Sequence, residues 1–246
     1  MRHDASQFES TRWSLVIAAG NLGEGQQASA DASEALAVLC REYWYPLYAY
    51  TRRRVKNVDE AQDLIQAFFA RLLEKNLIGV ANPERVRFRA FLLTALRNFL
   101  ANEWEKARAE KRGGGRTTLS LDFDLGETRF VAEPAATMTA ERLFERRWAE
   151  TLLDRTMERL RDEFVRSGKE NHFAQLSGFL LGHDKSVSYA DAARTLGISE
   201  GAAMVAAHRM RRRFRTLLRA EIAQTVSSPD AVDDEIRSLF LALGPE

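Results

Sequence analysis

Six arginines, Arg209, Arg211, Arg212, Arg213, Arg215 and Arg219, crowd the stretch between Glu200 and Glu221, which holds no acidic residue. Cations at that density suit a polyanion: each guanidinium that meets a DNA phosphate releases condensed counterions, and its planar fork can also read a guanine edge. On a helix, Ala203, Ala207, Met210, Phe214 and Leu217 recur at spacings of four and three and make one inward apolar stripe. Val205, His208, Arg212, Arg215 and Arg219 fall on a different face, left for a ligand. In the usual docking geometry the first turns of such a helix meet base edges and later residues meet the backbone. Met204, Val205, His208 and Arg209 are therefore expected at bases, and Arg211, Arg212, Arg213 and Arg215 at phosphates.

The elements that must present these side chains are also written locally. Ser188 followed by Asp191 is a capping-box start for a helix from Tyr189. After Leu196, Gly197 can enter left-handed backbone space without a Cβ penalty, and Ser199 is a second N-cap candidate behind the apolar Ile198. The spacing predicts two short helices around a tight turn, a helix-turn-helix whose second helix faces DNA. A merely solvated basic helix is the plainer alternative, but turn chemistry, stripe and charge polarity agree with the DNA-binding motif.

Composition narrows the function classes. The 246 residues carry 36 basic and 35 acidic side chains, a net charge of +1, so any DNA affinity must come from local clusters. A hydrophobic content of 45% is enough for one large or two small cores. The single cysteine, Cys40, excludes an intramolecular disulfide and a cysteine-rich metal site and reads as a buried thiol. His3, His172, His183 and His208 have no metal-ligand spacing, and no serine or cysteine nucleophile signature occurs. His172 reads as a surface or helix-end residue and Tyr189 as a helix-start residue. An enzyme, a cofactor, a metal and a small-molecule substrate are thus not expected. The triplet Gly113 to Gly115 lacks the preceding strand and following Lys-Ser/Thr of a phosphate loop. Residues 1–13 have no apolar signal core and no window is apolar enough to span a membrane, so a cytoplasmic protein without a membrane partner is expected.

Helix formers dominate, prolines are few and no alternating pattern persists, so the fold is read as all-α with two helical domains joined by a flexible linker. The segments are an N-terminal extension over 1–31, a first domain over 32–108, a linker over 109–140, a second domain over 141–226 and an amphipathic tail over 227–246. Thr11 to Ala19 allows a short helix, Gly20 to Ser33 reads as a loop, and alternation of Leu119, Leu121 and Phe123 allows a short extended stretch. In the tail Val232, Ile236, Leu239, Phe240 and Leu243 keep helical spacing, which suits packing back on the protein, with partner docking as the alternative.

Within the first domain, Asp59 to Leu77 reads as one amphipathic helix with Leu64, Ile65, Phe68, Phe69, Leu72 and Leu73 on its apolar side. Its reverse face carries Asp59, Asp63 and Gln66; Asp59 and Glu60 also complement the dipole of the first turn. A later helix bears Thr94, Arg97, Asn98, Asn102 and Trp104 ahead of Lys106, Arg108, Lys111 and Arg112. Amides and aromatics beside cations suit melted or single-stranded DNA, where exposed bases can be stacked and hydrogen-bonded. A solvated polar face is the alternative reading of that helix.

Several ordered motifs together resemble the extracytoplasmic-function group of bacterial sigma factors, over roughly residues 34–108 and 143–219. Tyr43-Trp-Tyr-Pro-Leu-Tyr48 is similar to the start of sigma region two, and Glu60-Ala-Gln-Asp-Leu-Ile-Gln-Ala-Phe-Phe69 to its polymerase-binding helix. Phe88 to Trp104 resembles the part that melts and reads the minus-ten element, and Tyr189 to Arg215 the region-four reader of the minus-thirty-five element. The resemblance implies core RNA polymerase and promoter DNA as partners, with Asp59, Glu60, Asp63 and Gln66 docking on polymerase. It places Asn98 near a flipped base, with Thr94, Arg97 and Asn102 on adjoining turns and the loop from Asn76 to Arg87 bordering the pocket. Strand opening would draw on base capture and not on nucleotide hydrolysis. Gln62 and Ala67 stand where the family often has acids, and Met204 where it often has a basic residue. A regulator such as an anti-sigma protein is named by no residue. The rival reading is a conventional regulator that binds duplex DNA through residues 189–219.

Overall fold

The computed structural model describes residues 30–74, 87–109, 123–131, 138–180, 188–226, 228 and 230–244. Among them every regular element is a helix: α1 Ala30–Arg54, α2 Val58–Glu74, α3 Phe88–Ala109, α4 Phe123–Val131, α5 Ala140–Arg166, α6 Glu170–Leu176, α7 Tyr189–Leu196, α8 Glu200–Ala223 and α9 Asp230–Leu243. A 3-10 turn over Ser177–Phe179 follows α6. The fold is all-α, as its composition and periodicity require. The readings for Thr11 to Ala19, the loop 76–86, the glycine triplet, Leu119 and Leu121 fall outside the described residues. Because α1 starts at Ala30, the last residues of the expected 20–33 loop are helical.

The described residues form two compact units, one up to Thr151 and again from Ile222, the other Leu152–Glu221. In the first unit α1 and α2 close a core around Leu47, Tyr50, Ile65, Phe68, Phe69 and Leu72, and α3 adds Leu92, Leu96, Phe99 and Leu100. Phe68 meets Phe99 at 5.8 Å between ring centroids. Cys40 is buried here, and burial pushes its thiol up to about 12, which leaves it unreactive near neutral pH. Asn57 caps α2, its Oδ1 accepting the Glu60 N–H at 2.9 Å.

Two segments depart from the expected domain plan. The linker region 109–140 contains α4, a helix docked on α1 and not loose chain. Phe123 lies against Trp44 and Tyr48 at 5.8 and 5.5 Å, and Glu127 accepts from Tyr48 Oη at 2.6 Å and from Arg52 Nε and Nη2 at 2.9 Å each. The alternation ending at Phe123 hid this because Leu125, Gly126 and Phe130 give a nine-residue helix little periodicity to show. The start of α5 also belongs to the first unit rather than to a domain beginning at 141. Leu143, Phe144 and Trp148 are buried there, and Trp148 Nε1 donates to Tyr43 Oη at 3.3 Å.

The tail helix α9 packs back on the same unit, burying Val232, Glu235, Leu239 and Ala242. The second unit is the helix-turn-helix with the end of α5, α6 and the 3-10 turn. Its core contains the whole anticipated stripe, Ala203, Ala207, Met210, Phe214 and Leu217.

Candidate nucleic-acid and partner interfaces

Three surfaces carry the residues that chemistry singles out. On α2 the apolar side, Leu64, Ile65, Phe68, Phe69 and Leu72, is buried, which forces Asp59, Glu60 and Asp63 outward. Among the described residues their carboxylates make no ion pair, and the face is an exposed acidic patch. Gln66 is half-buried at its edge. Ala67 is buried, so an acid there would point into packing; of the two positions where charge was expected, only Gln62 borders the open face.

On α3, Leu92, Leu96, Phe99 and Leu100 face the core. Thr94, Arg97, Asn98 and Asn102 are all exposed on the opposite side, with Trp104 half-buried beyond them. The structure thus brings the four onto one exposed stripe that presents amide, hydroxyl and guanidinium groups. Lys106, the first of the basic run, is held by Glu103 at 3.1 Å; Lys111 and Arg112 lie outside the described residues. The helix entry is tied down from a distant segment, the Phe88 N–H donating to the Thr225 carbonyl at 3.2 Å.

In the second unit the turn is built as its residues dictate. Ser188 Oγ accepts from the Asp191 N–H at 3.1 Å, and Gly197 is left-handed at φ 66°. The Ile198 N–H reaches the Ala193 carbonyl and the Gly197 N–H the Arg194 carbonyl, a Schellman closure of α7. Ser199 then caps α8 through the Ala202 N–H at 3.2 Å. This turn leaves Met204 and Val205 each 51% exposed although both are apolar, with His208 and Arg209 exposed on the next turn. Bare apolar side chains at the tip of a basic helix suit contact with base edges and thymine methyls.

The arginines do not all stand ready for phosphate. Arg212 and Arg215 are exposed and make no ion pair among the described residues. Arg211 is turned inward, Nε donating to the Phe179 carbonyl at 3.1 Å and Nη2 to Tyr189 Oη at 2.5 Å. The Tyr189 ring stacks on Phe179 at 4.1 Å, so this arginine fastens α8 to α7 and the 3-10 turn. Arg211 is thereby corrected from a phosphate contact to an internal tie. Arg213 forks onto Glu163 at 2.7 and 2.6 Å, which holds that carboxyl below the usual range. Phosphate would have to displace Glu163 to use it. The Arg211 tie left no local trace, since its partners stand 22 and 32 positions away.

Beside this helix an open groove of about 780 Å³ is lined by Phe164, Leu176, Val205 and Met210 and by Lys169, His172 and Arg209. His172 is half-buried in α6 and belongs to this lining, with no cluster of metal-ligating groups among the described residues. No helix there is long and apolar enough to cross a membrane.

Compared with known families, residues 39–110 match sigma-70 region 2. No curated protein and no solved structure matches the chain. The matched segment takes in most of α1, all of α2 and all of α3, hence both the acidic face and the Asn98 stripe. Over these helices the chain is similar to sigma-70 region 2.

Proposed function

We propose that the protein is a sigma factor of the extracytoplasmic-function type, which binds core RNA polymerase and directs it to promoters. The observation that carries this reading is the pairing, inside the matched segment, of an exposed acidic face on α2 with an exposed polar stripe on α3. Asp59, Glu60, Asp63 and Gln66 dock on polymerase. Thr94, Arg97, Asn98 and Asn102 capture the opened minus-ten strand, and the energy of base capture opens the duplex without nucleotide hydrolysis. In the second unit Met204, Val205, His208 and Arg209 read the minus-thirty-five element. Arg212 and Arg215 hold its phosphates, and Arg213 joins them on release from Glu163. A cytoplasmic location follows from these partners.

The deciding experiment mixes the purified protein with sigma-free bacterial core polymerase and follows co-elution. A stoichiometric complex that Asp63→Ala abolishes, with helicity and cooperative unfolding intact, is the expected outcome. The helix-turn-helix geometry also suits a conventional duplex-binding regulator. Absence of a complex, with duplex binding retained, would favour that second reading.

A further inference from the structure

The buried side of α9 meets the start of α3 through charge. Glu235 is 1% exposed, and Arg89 grips it with Nε to Oε1 at 2.6 Å and Nη2 to Oε2 at 3.0 Å. Arg87 adds a contact from Nη1 to Glu235 at 3.0 Å and donates to Ser238 Oγ at 3.0 Å. Arg89 also pairs with Glu145 of α5 and stacks its guanidinium over Trp148 at 4.4 Å. Burial alone would pull Arg89 down, but the two carboxylates hold its guanidinium above the ordinary value, so it stays charged. Arg87 precedes the first residue of α3 and Arg89 is its second.

A buried ion cluster of this kind contributes little net stability over an apolar contact, because desolvation offsets the attraction. What it does supply is geometry: a bidentate fork fixes distance and angle between two helices where apolar surfaces could slide. The apolar part of α9, Val232, Leu239 and Ala242, is buried beside this cluster's helix face. The charged part is spent on the first turn of the helix whose later turns carry Thr94, Arg97, Asn98 and Asn102.

We propose that α9 is a brace that sets the position of the base-capturing helix α3, with Glu235 as its positioning residue. The functional half of this inference rests on the sigma-factor reading; the mechanical half does not. Glu235→Gln keeps the side-chain shape and removes the charge. In the full-length variant, amide hydrogen exchange over the first half of α3 should speed up by about tenfold while α1 and α2 keep their protection. In complex with core polymerase, on duplexes selected by the wild-type holoenzyme from a randomised pool, permanganate reactivity of opened thymines should fall by about tenfold, with co-elution unchanged. Arg87→Gln, which leaves the Arg89 fork intact, should shift both readouts the same way by less, and Phe240→Ala on the exposed side of α9 should shift neither. Equal acceleration of exchange in α1, α2 and α3, or none in α3, would overturn the brace, and unchanged strand opening despite loosened α3 would overturn its role in base capture. If the wild-type protein fails to bind polymerase, the sigma reading falls, and the exchange measurement still decides whether α9 braces α3.

Discussion

Two neighbouring arginines on α8 illustrate how far a residue's type determines its work. Arg211 and Arg212 are chemically identical, but one is locked onto Phe179 and Tyr189 and the other is exposed. Arg212→Ala should flatten the log–log salt dependence of duplex binding by about 0.9 with the fold untouched. Arg211→Ala should instead destabilise the helix-turn-helix by roughly 1–3 kcal/mol, seen in thermal unfolding, because it removes two part-buried hydrogen bonds and frees a stacked tyrosine. The opposite pattern would reverse the two assignments. Gly126 is a second case in which position decides. A Cβ there would lie 2.8 Å from Trp44 Cη2, inside contact distance, and the indole is wedged among Tyr45, Tyr48 and Phe123. Gly126→Ala should lift α4 from α1 at a cost of about 1–3 kcal/mol, with faster exchange of α4 amides as the check.

Among the elements, α2 and the helix-turn-helix follow from their own residues, and α4 does not. The start of α2 is a local device, Asn57 with Glu60 three positions on, and Asn57→Ala should lower thermal stability by about 1 kcal/mol. The turn at Gly197 is equally local, since a left-handed residue between two caps was written in Ser188, Gly197 and Ser199. By contrast α4 is held by Glu127, whose partners Tyr48 and Arg52 stand 79 and 75 positions earlier. The Arg52 hydrogen bonds hold the Glu127 carboxyl below its ordinary value. A carboxyl depressed in the folded state contributes stability above the unfolded value, near pH 4.3, and loses it as pH falls further. Protection of α4 amides, relative to their intrinsic exchange, should therefore fall as pH drops below about 4, and the Glu127→Gln variant should lack that step.

For the whole molecule, the surprise lies in which segments share a core. The first unit includes the residues from Ile222 onward, so α9 and the end of α8 share it with the matched segment. Deleting residues 227–246 removes Glu235 from the buried Arg89 together with the buried side chains Val232, Leu239 and Ala242. That should cost the first unit about 3 kcal/mol or more, with α3 amides losing protection while α7 and α8 up to Glu221 keep theirs. Uniform loss across both units would show that they do not behave as separate bodies.

Residue types and periodicity by themselves determined the all-α class, the apolar stripe of α8, the acidic face of α2 and the exposed stripe of α3. Each of these depends on neighbours within one or two turns of helix, where spacing in the chain and spacing in space are the same thing. Tertiary structure alone decided that Arg211 is a tie, that Arg213 is held by Glu163, that Ala67 is buried, and that α4 and α9 are parts of the first unit. The ties of Arg211 and Arg213 and the docking of α4 and α9 join side chains 22 to 151 positions apart, and the burial of Ala67 likewise reflects which helices close over α2. Periodicity carries no record of such encounters; they exist only once the helices have packed.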